Sequence, residues 1–365
     1  MNLTMQVKLL TNEAEATSLL ATMERFNAAC DVIAEVAHAQ GCANKVELQK
    51  HVYHDIRARF DLSAQMTIRA ISKVVEVYKR DRRLLPKFRP HGAIVYDQRI
   101  LSWKGPDRVS ILTLDGRLVV PWVAGAYQQA RLAFPRGQAD LVYRGNQFFL
   151  FVTVDVGDVP PDDPQSFLGV DLGIQNIAAD SDGNTFAGAH LNGLRARHAR
   201  LRAKLQRKGT KSAKRLLRQR RAKEWRFAAD VNHRISKAPV RKAKDTGRGI
   251  AVENLTGIRD RVTVRRPQRR SLHSWAFHQL RAFLTYKARL AGVVLVAVDP
   301  RYTSQTCLEC GCIDRKNRPS RDRFQCVSCG RAGPADTIAA GNIASRAAVM
   351  RPDAGPETAL ASRLL

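Results

Sequence analysis

The stretch from Phe167 to Gly188 reads FLGVDLGIQNIAADSDGNTFAG, and its pattern decides the fold of the carboxyl-terminal half of the chain. Short apolar runs alternate with turn residues, Ser181-Asp182-Gly183 among them, in the order strand, turn, strand, turn, strand. Asp171 falls inside the first of these strands, between Val170 and Leu172. A carboxylate in such a position needs a cation or a metal beside it, because burying it alone is very costly.

Outward from that stretch, GIAVENL (Gly249 to Leu255) forms a second strand with Glu253 near its carboxyl end, and VVLVAVD (Val293 to Asp299) completes a sheet. PADTIAAGNIASRAAVM then predicts a helix starting around Pro334. It places Asp336 in the first turn and Ala339, Ala340, Ile343 and Ala347 on a packing face. Each acid alone has an ordinary explanation: Asp171 as a turn residue, Glu253 as a solvated strand end, Asp336 as a complement to the helix dipole. Together, two strand carboxylates and one from a helix start are the arrangement of an RNase H-like α/β domain, and they can converge on two divalent cations. Such a pair suits phosphodiester hydrolysis, and Mg²⁺ suits carboxylate and water ligands. Asp299, next to Pro300, reads as a strand-end turn residue, and Asp180 and Asp182 read as hairpin residues.

Seven cysteines are present, four of them as Cys307-x-x-Cys310 and Cys326-x-x-Cys329 with fifteen residues between the pairs. This spacing supplies four thiolates to one tetrahedral, structural Zn²⁺ and is not that of a secreted disulfide framework. Gly311 and Gly330 permit the tight turns after each pair. Cys312 lies close by, but Cys310 keeps the regular spacing.

Lys and Arg number 61 against 33 acidic residues, a net charge of +28 that repels itself unless a polyanion neutralises it. The charge is densest in Leu194–Phe227, where fifteen of 34 residues are basic and Glu224 is the one acid. A break at Gly209-Thr210 divides this arm into two helices. With so few acids to form salt bridges, phosphate contact through Lys204, Arg207, Lys208, Lys211 and Arg218 is the better account of the run. No apolar stretch approaches the ~20 residues of a membrane span, and the first residues lack a signal-peptide layout. A soluble, cytoplasmic and monomeric protein without a membrane partner is expected.

With ~150 residues per domain as a guide, 365 residues suggest two or three domains. A first strand lies within residues 1–10. Residues 11–85 carry three helical patterns, the first capped by Thr11, packed through Leu19, Met23, Phe26, Cys30, Ile33 and Ala37, and ended by Gly41. Residues 86–156 hold short strands with a hairpin turn at Arg144-Gly145-Asn146, which a small β-barrel would close. Residues 157–166 are acidic and proline-rich, as a linker is. A second domain spans 167–348, with a zinc ribbon at 303–332, and residues 349–365 form a loosely structured tail.

GVDLG with IAADSDG, NHRISK, AVENLTGIR, YTSQTCLECG, FQCVSCG and ADTIAAGNI, in that order, resemble the successive blocks of TnpB, the transposon-encoded relative of the type V CRISPR effectors. The resemblance implies a RuvC-type nuclease domain, a wedge barrel and a helical recognition lobe. It implies a guide RNA from the transposon end, double-stranded DNA cut beside a short adjacent motif, Asp171, Glu253 and Asp336 as the RuvC acids holding Mg²⁺, and the four paired cysteines on zinc. In guided effectors base pairing supplies most of the sequence specificity. The sequence departs from the family at Ile338, where Asn is common, and at Ala335, where a charge is frequent. Two other readings stand beside this one: an RNA-guided DNA-binding regulator that does not cut, and an RNase H-like transposase.

Overall fold

Strict alternation builds the first sheet in the computed structural model, which describes residues 1–255 and 277–350. Contacts divide the chain into two units, one ending at Gly157 and the other beginning at Asp158. Residues 256–259 of the AVENLTGIR block and the tail beyond residue 350 lie outside the described residues.

In the first unit, β1 (Asn2–Leu9) buries Leu3, Met5, Val7 and Leu9 and turns the residues between them outward. The other strands are β2 (Ile94–Tyr96), β3 (Leu101–Lys104), β4 (Arg108–Thr113), β5 (Gly116–Val123), β6 (Arg136–Arg144) and β7 (Gln147–Asp155). They join β1 in one antiparallel sheet of order β2-β6-β7-β1-β5-β4-β3. Its two edges, β2 and β3, are consecutive in the chain. The Asp97 carbonyl accepts from the backbone N–H of Ile100 (3.1 Å) and Leu101 (2.8 Å), and buried Tyr96 donates its hydroxyl to the Leu112 carbonyl (3.0 Å). The sheet is therefore nearly closed. Gly145 and Asn146, with φ of 60° and 58°, make the tight β6–β7 turn whose twist matches its strands.

Three helices lie between β1 and β2: α1 (Glu13–Ala39), α2 (Lys45–Phe60) and α3 (Ala64–Arg80). The six apolar positions expected to pack in α1 are buried. Its cap is Asn12, not Thr11. Asn12 accepts from the Glu15 N–H (2.8 Å) while Glu15 accepts from the Asn12 N–H (2.9 Å), a reciprocal box that the preceding threonine cannot form. Arg69 on α3 ties the helices to the β2–β3 turn through Asp97, with Nε at 2.8 Å. Strand β3 and a short helix, α4 (Ala126–Leu132), were not legible, being too brief to show a period.

The second unit has a mixed sheet made of β8 (Phe167–Asp171), β9 (Asn176–Asp180), β10 (Thr185–Ala187), β11 (Gly249–Glu253) and β12 (Leu295–Val298). The order is β10-β9-β8-β11-β12, with β8, β11 and β12 parallel and β8-β9-β10 an antiparallel meander. Parallel strands buried on both faces read as continuous apolar runs, as these do. One face packs Leu168, Val170, Ile250 and Val252 against α6 (Lys211–Asp245) and α7 (Phe277–Ala291). The other packs Phe167, Ala251, Val296 and Val298 against Ile343 and Ala347 of α8 (Ala335–Val349).

Helix α8 lies very close to β8. A Cβ at Gly169 would stand 1.8 Å from the Ala340 carbonyl oxygen, so glycine is the residue that fits. The segment after Gly157 is pinned to this unit: the Asp162 N–H donates to the Gly292 carbonyl (2.8 Å), Lys244 reaches Asp162 (2.9 Å), and Arg289 Nε reaches Asp158 (2.8 Å). Its acidic residues serve as partners for basic helix residues. Asp180 and Asp182 are also occupied. Lys242 lies 2.8 Å from each, Arg248 grips Asp182 with two nitrogens, and Asp180 accepts from the backbone of Asp182 and Asn184. Burial would raise the Asp180 carboxyl, but these donors hold it below its ordinary range.

Gly169→Ala is expected to push α8 off the sheet and lower stability by about 3 kcal/mol, at the upper end for overpacking. A thermal melt of the variant against the parent checks this.

Candidate functional site

The acids are placed by the ends of the parallel strands. Asp171 is the last residue of β8 rather than an interior one, and Glu253 is the last of β11. Val170 pairs with Val252, so both acids leave the sheet at the same level. Asp336 comes to the same place from the first turn of α8. Asp171 feels both of the other acids: burial pushes its carboxyl up to about 7, the charges of Glu253 and Asp336 add to it, and Arg318 opposes it. Burial also raises Glu253, against the hydroxyl of Thr303 and the charge of Arg346.

Neighbouring side chains fix these acids. Thr303 Oγ1 donates to Glu253 Oε1 (2.5 Å), and buried Asn342 of α8 donates to the carbonyls of Thr303 (2.8 Å) and Thr306 (2.7 Å). Asn176 Nδ2 donates to Asp336 Oδ2 (2.8 Å), while Arg318 Nη2 lies 3.4 Å from Asp336 Oδ1. None of these residues was singled out from the sequence. Thr303 and Asn342 do lie within the YTSQTC and AGNI blocks, which were the available signal; for Arg318 there was none. Ala335 and Ile338, the two departures from the family pattern, are buried packing residues beside Asp336.

The four paired cysteines come together with all four sulfurs within 4.8 Å of one another, Cys307–Cys329 at 3.6 Å and Cys310–Cys326 at 3.5 Å. Thiolates bound at about 2.3 Å to tetrahedral Zn²⁺ lie about 3.8 Å apart, so the donor set fits zinc in chemistry and spacing. Cys312 stands outside the group. The N–H groups of Cys329 (3.5 Å) and Ser328 (3.4 Å) donate to the Cys326 sulfur and hold that thiol down to about 6. Among the described residues this is the one such compact ligand group, so the three carboxylates are more openly spaced. Cys307, Cys326 and Phe324 pack directly on Ala335 and Ile338, so the ribbon and the helix start that carries Asp336 share one small core.

The basic arm forms α5 (Ala189–Lys208) and α6, separated by Gly209 in the left-handed conformation and capped anew by Thr210. Lys204, Arg207, Lys208, Lys211 and Arg218 are exposed and form no ion pair among the described residues. Glu224 is spent within the hairpin on Arg202 and His198. Farther along α6, the NHRISK block is a docking face for α7. His233 stacks on Phe283 at 3.9 Å, Asn232 bonds Gln279 (2.9 Å), and Lys287 reaches the His233 carbonyl (2.6 Å) and Ser236 Oγ (2.7 Å). No described helix is long and apolar enough to cross a membrane.

Residues 151–256 match a family described as "Probable transposase", and residues 277–343 match "Cas12f1-like, TNB domain". A TnpB-like protein of Methanocaldococcus jannaschii is 28% identical over 55% of this chain and 76% of its own length. The chain is therefore similar to a TnpB-like protein. Cas12f1 endodeoxyribonucleases are also similar, that of Sulfoacidibacillus thermotolerans at 42% identity over 34% of this chain and that of Syntrophomonas palmitatica at 30% over 46%. These matches span 29% and 36% of the two relatives' own lengths. The protein of a solved Cas12f1–sgRNA–target DNA complex shares the fold of this chain at a TM-score of 0.63, with 15% identity over 89% of the chain and 82% of that protein.

Cys307→Ser and Cys329→Ser are each expected to lose stoichiometric zinc, read by metal analysis, and to lower the melting temperature, because metal binding at such a site is folding free energy.

Proposed function

We propose that the chain is an RNA-guided, metal-dependent DNA endonuclease of the TnpB type. The observation that carries this is the meeting of Asp171, Glu253 and Asp336 at the carboxyl end of the parallel strands, where burial and the charges of Glu253 and Asp336 raise the cost of ionising Asp171. The reading takes residues 167–348 as an RNase H-like, RuvC-type domain with a zinc ribbon at 303–332, supported by the β10-β9-β8-β11-β12 order with a helix layer on each face. It takes 1–10 with 86–156 as a wedge barrel around an inserted recognition lobe, 11–85. The similarity to CRISPR-associated endodeoxyribonucleases, and the guide RNA and target DNA in the solved Cas12f1 complex, support RNA guidance and a DNA target.

The three carboxylates offer hard oxygen donors suited to Mg²⁺, with Thr303 orienting Glu253 and Asn176 orienting Asp336. Bound divalent ions supply an activated water and stabilise the leaving oxygen. Arg318, beside Asp336, places a fixed positive charge where a phosphate would bind. The exposed cations of α5 and α6 hold nucleic acid by its backbone without reading sequence. The transposase description of residues 151–256 favours strand joining as a second reading. The ribbon between the second and third acids and the TnpB-like block order weigh against it.

Co-purification with the native transcript, followed by a matched duplex with or without Mg²⁺, tests the reading. Cleavage is expected to need Mg²⁺ and to vanish in Asp171→Ala while guided binding survives; guide-independent strand joining, or binding without cutting, would overturn it.

The raised Asp171 pKa gives an independent check. Between about pH 4, its unfolded value, and about 7, the folded protein holds a proton that the unfolded chain has lost, so this group's contribution to stability falls as pH rises through that window. With Mg²⁺ omitted, Asp171→Asn is expected to gain up to about 3 kcal/mol over the parent at pH 8 and little near pH 4, and to lose the Mg²⁺-dependent rise in melting temperature.

Neutralising Lys204, Arg207, Lys208, Lys211 and Arg218 together is expected to flatten the log–log salt dependence of binding by roughly 0.7–0.9 for each phosphate that the arm no longer neutralises. An unchanged slope would make the arm a solvated surface.

A further inference from the structure

Beyond β12 the chain turns through Asp299 and Pro300 to Tyr302, whose φ is +60°. A bulky aromatic residue in the left-handed region is strained, because its Cβ crowds the following carbonyl; glycine or asparagine would sit there at lower cost. The turn is tight. The Tyr302 carbonyl accepts from the N–H of Gln305 (2.9 Å), the N–H of Thr306 (3.0 Å) and the Thr306 hydroxyl (2.7 Å).

Consecutive side chains in this turn meet opposite environments. Thr303 is buried, with its hydroxyl on Glu253, while Tyr302 is 57% exposed. Among the described residues the Tyr302 ring makes no ring contact and its hydroxyl no hydrogen bond. A free aromatic face is thus held under strain one residue from a direct contact to the acid cluster, with the two Cα atoms about 3.8 Å apart. On its other side exposed Arg301 lies 4.0 Å from the Asp299 carboxylate. A strained residue at a functional site points to a role for the side chain that imposes the strain. Every nucleobase has a face to stack, and an aromatic platform serves strands of any sequence.

We propose that Tyr302 is a stacking platform for an unpaired nucleobase flanking the scissile phosphate, setting a single strand across Asp171, Glu253 and Asp336. This rests on the nuclease reading above. The test uses the full chain with its co-purified RNA, Ca²⁺ in place of Mg²⁺, and single-stranded DNA carrying 5-iodouracil, which on irradiation couples to an aromatic ring stacked on it. The expected adduct is on Tyr302. Tyr302→Phe should keep the adduct and the Mg²⁺-supported cleavage. Tyr302→Gly should melt no lower than the parent, since it suits the backbone, yet lose the adduct and cut about 5- to 100-fold more slowly. Adducts confined to other aromatics such as exposed Trp225, or undiminished cutting by Tyr302→Gly, would overturn the proposal. A parent that cuts no substrate would sink the nuclease reading, and the adduct would still decide the stacking.

Discussion

The contact between α8 and β8 at Gly169 governs the second unit. Asp171 stands two residues beyond Gly169 on the strand, and Asp336 stands four before Ala340 on the helix. The missing side chain at one position therefore sets how near two of the three acids come. The alanine-rich face of α8 reflects the same need, since larger residues would hold the helix away from the sheet. Glu253 needs no such device, because the parallel register of β11 with β8 brings it level with Asp171.

The cysteine ribbon is joined to this geometry at two points. Its small core continues into Ala335 and Ile338, on either side of Asp336, and the turn leading into it supplies Thr303 to Glu253 under the hold of Asn342. A site that could read as a separate structural module thus supports two of the acids. The packing also gives a physical account of Ala335 and Ile338, where a family pattern would place more polar residues.

Much of this was legible in the sequence, and the parts that were not share a cause. Long elements with a clear period, such as α1 and the β8–β9 hairpin, follow from local patterning. The cap of α1 lay one residue from its expected place because Thr11 and Asn12 are both good caps, and Glu15 decides between them. Asp171 was read inside its strand but ends it, since alternation does not reveal where pairing stops. Arg318, Thr303, Asn176 and Asn342 act across folds of the chain, from turns, from the start of β9 or from a helix face whose period marks only its apolar side. The four cysteines were the easiest to find, their chemistry being written in their spacing.

One feature of the first unit bears on how the protein is made. Strand β1 sits between β5 and β7, both far downstream, whereas the three helices after it pack chiefly on one another. On a ribosome the helices can form early, while the opening strand, apolar on every second residue, stays without a partner until the later strands emerge. Until β5 and β7 have both been made, neither edge of that strand has its partner, so the sheet can close only late in synthesis.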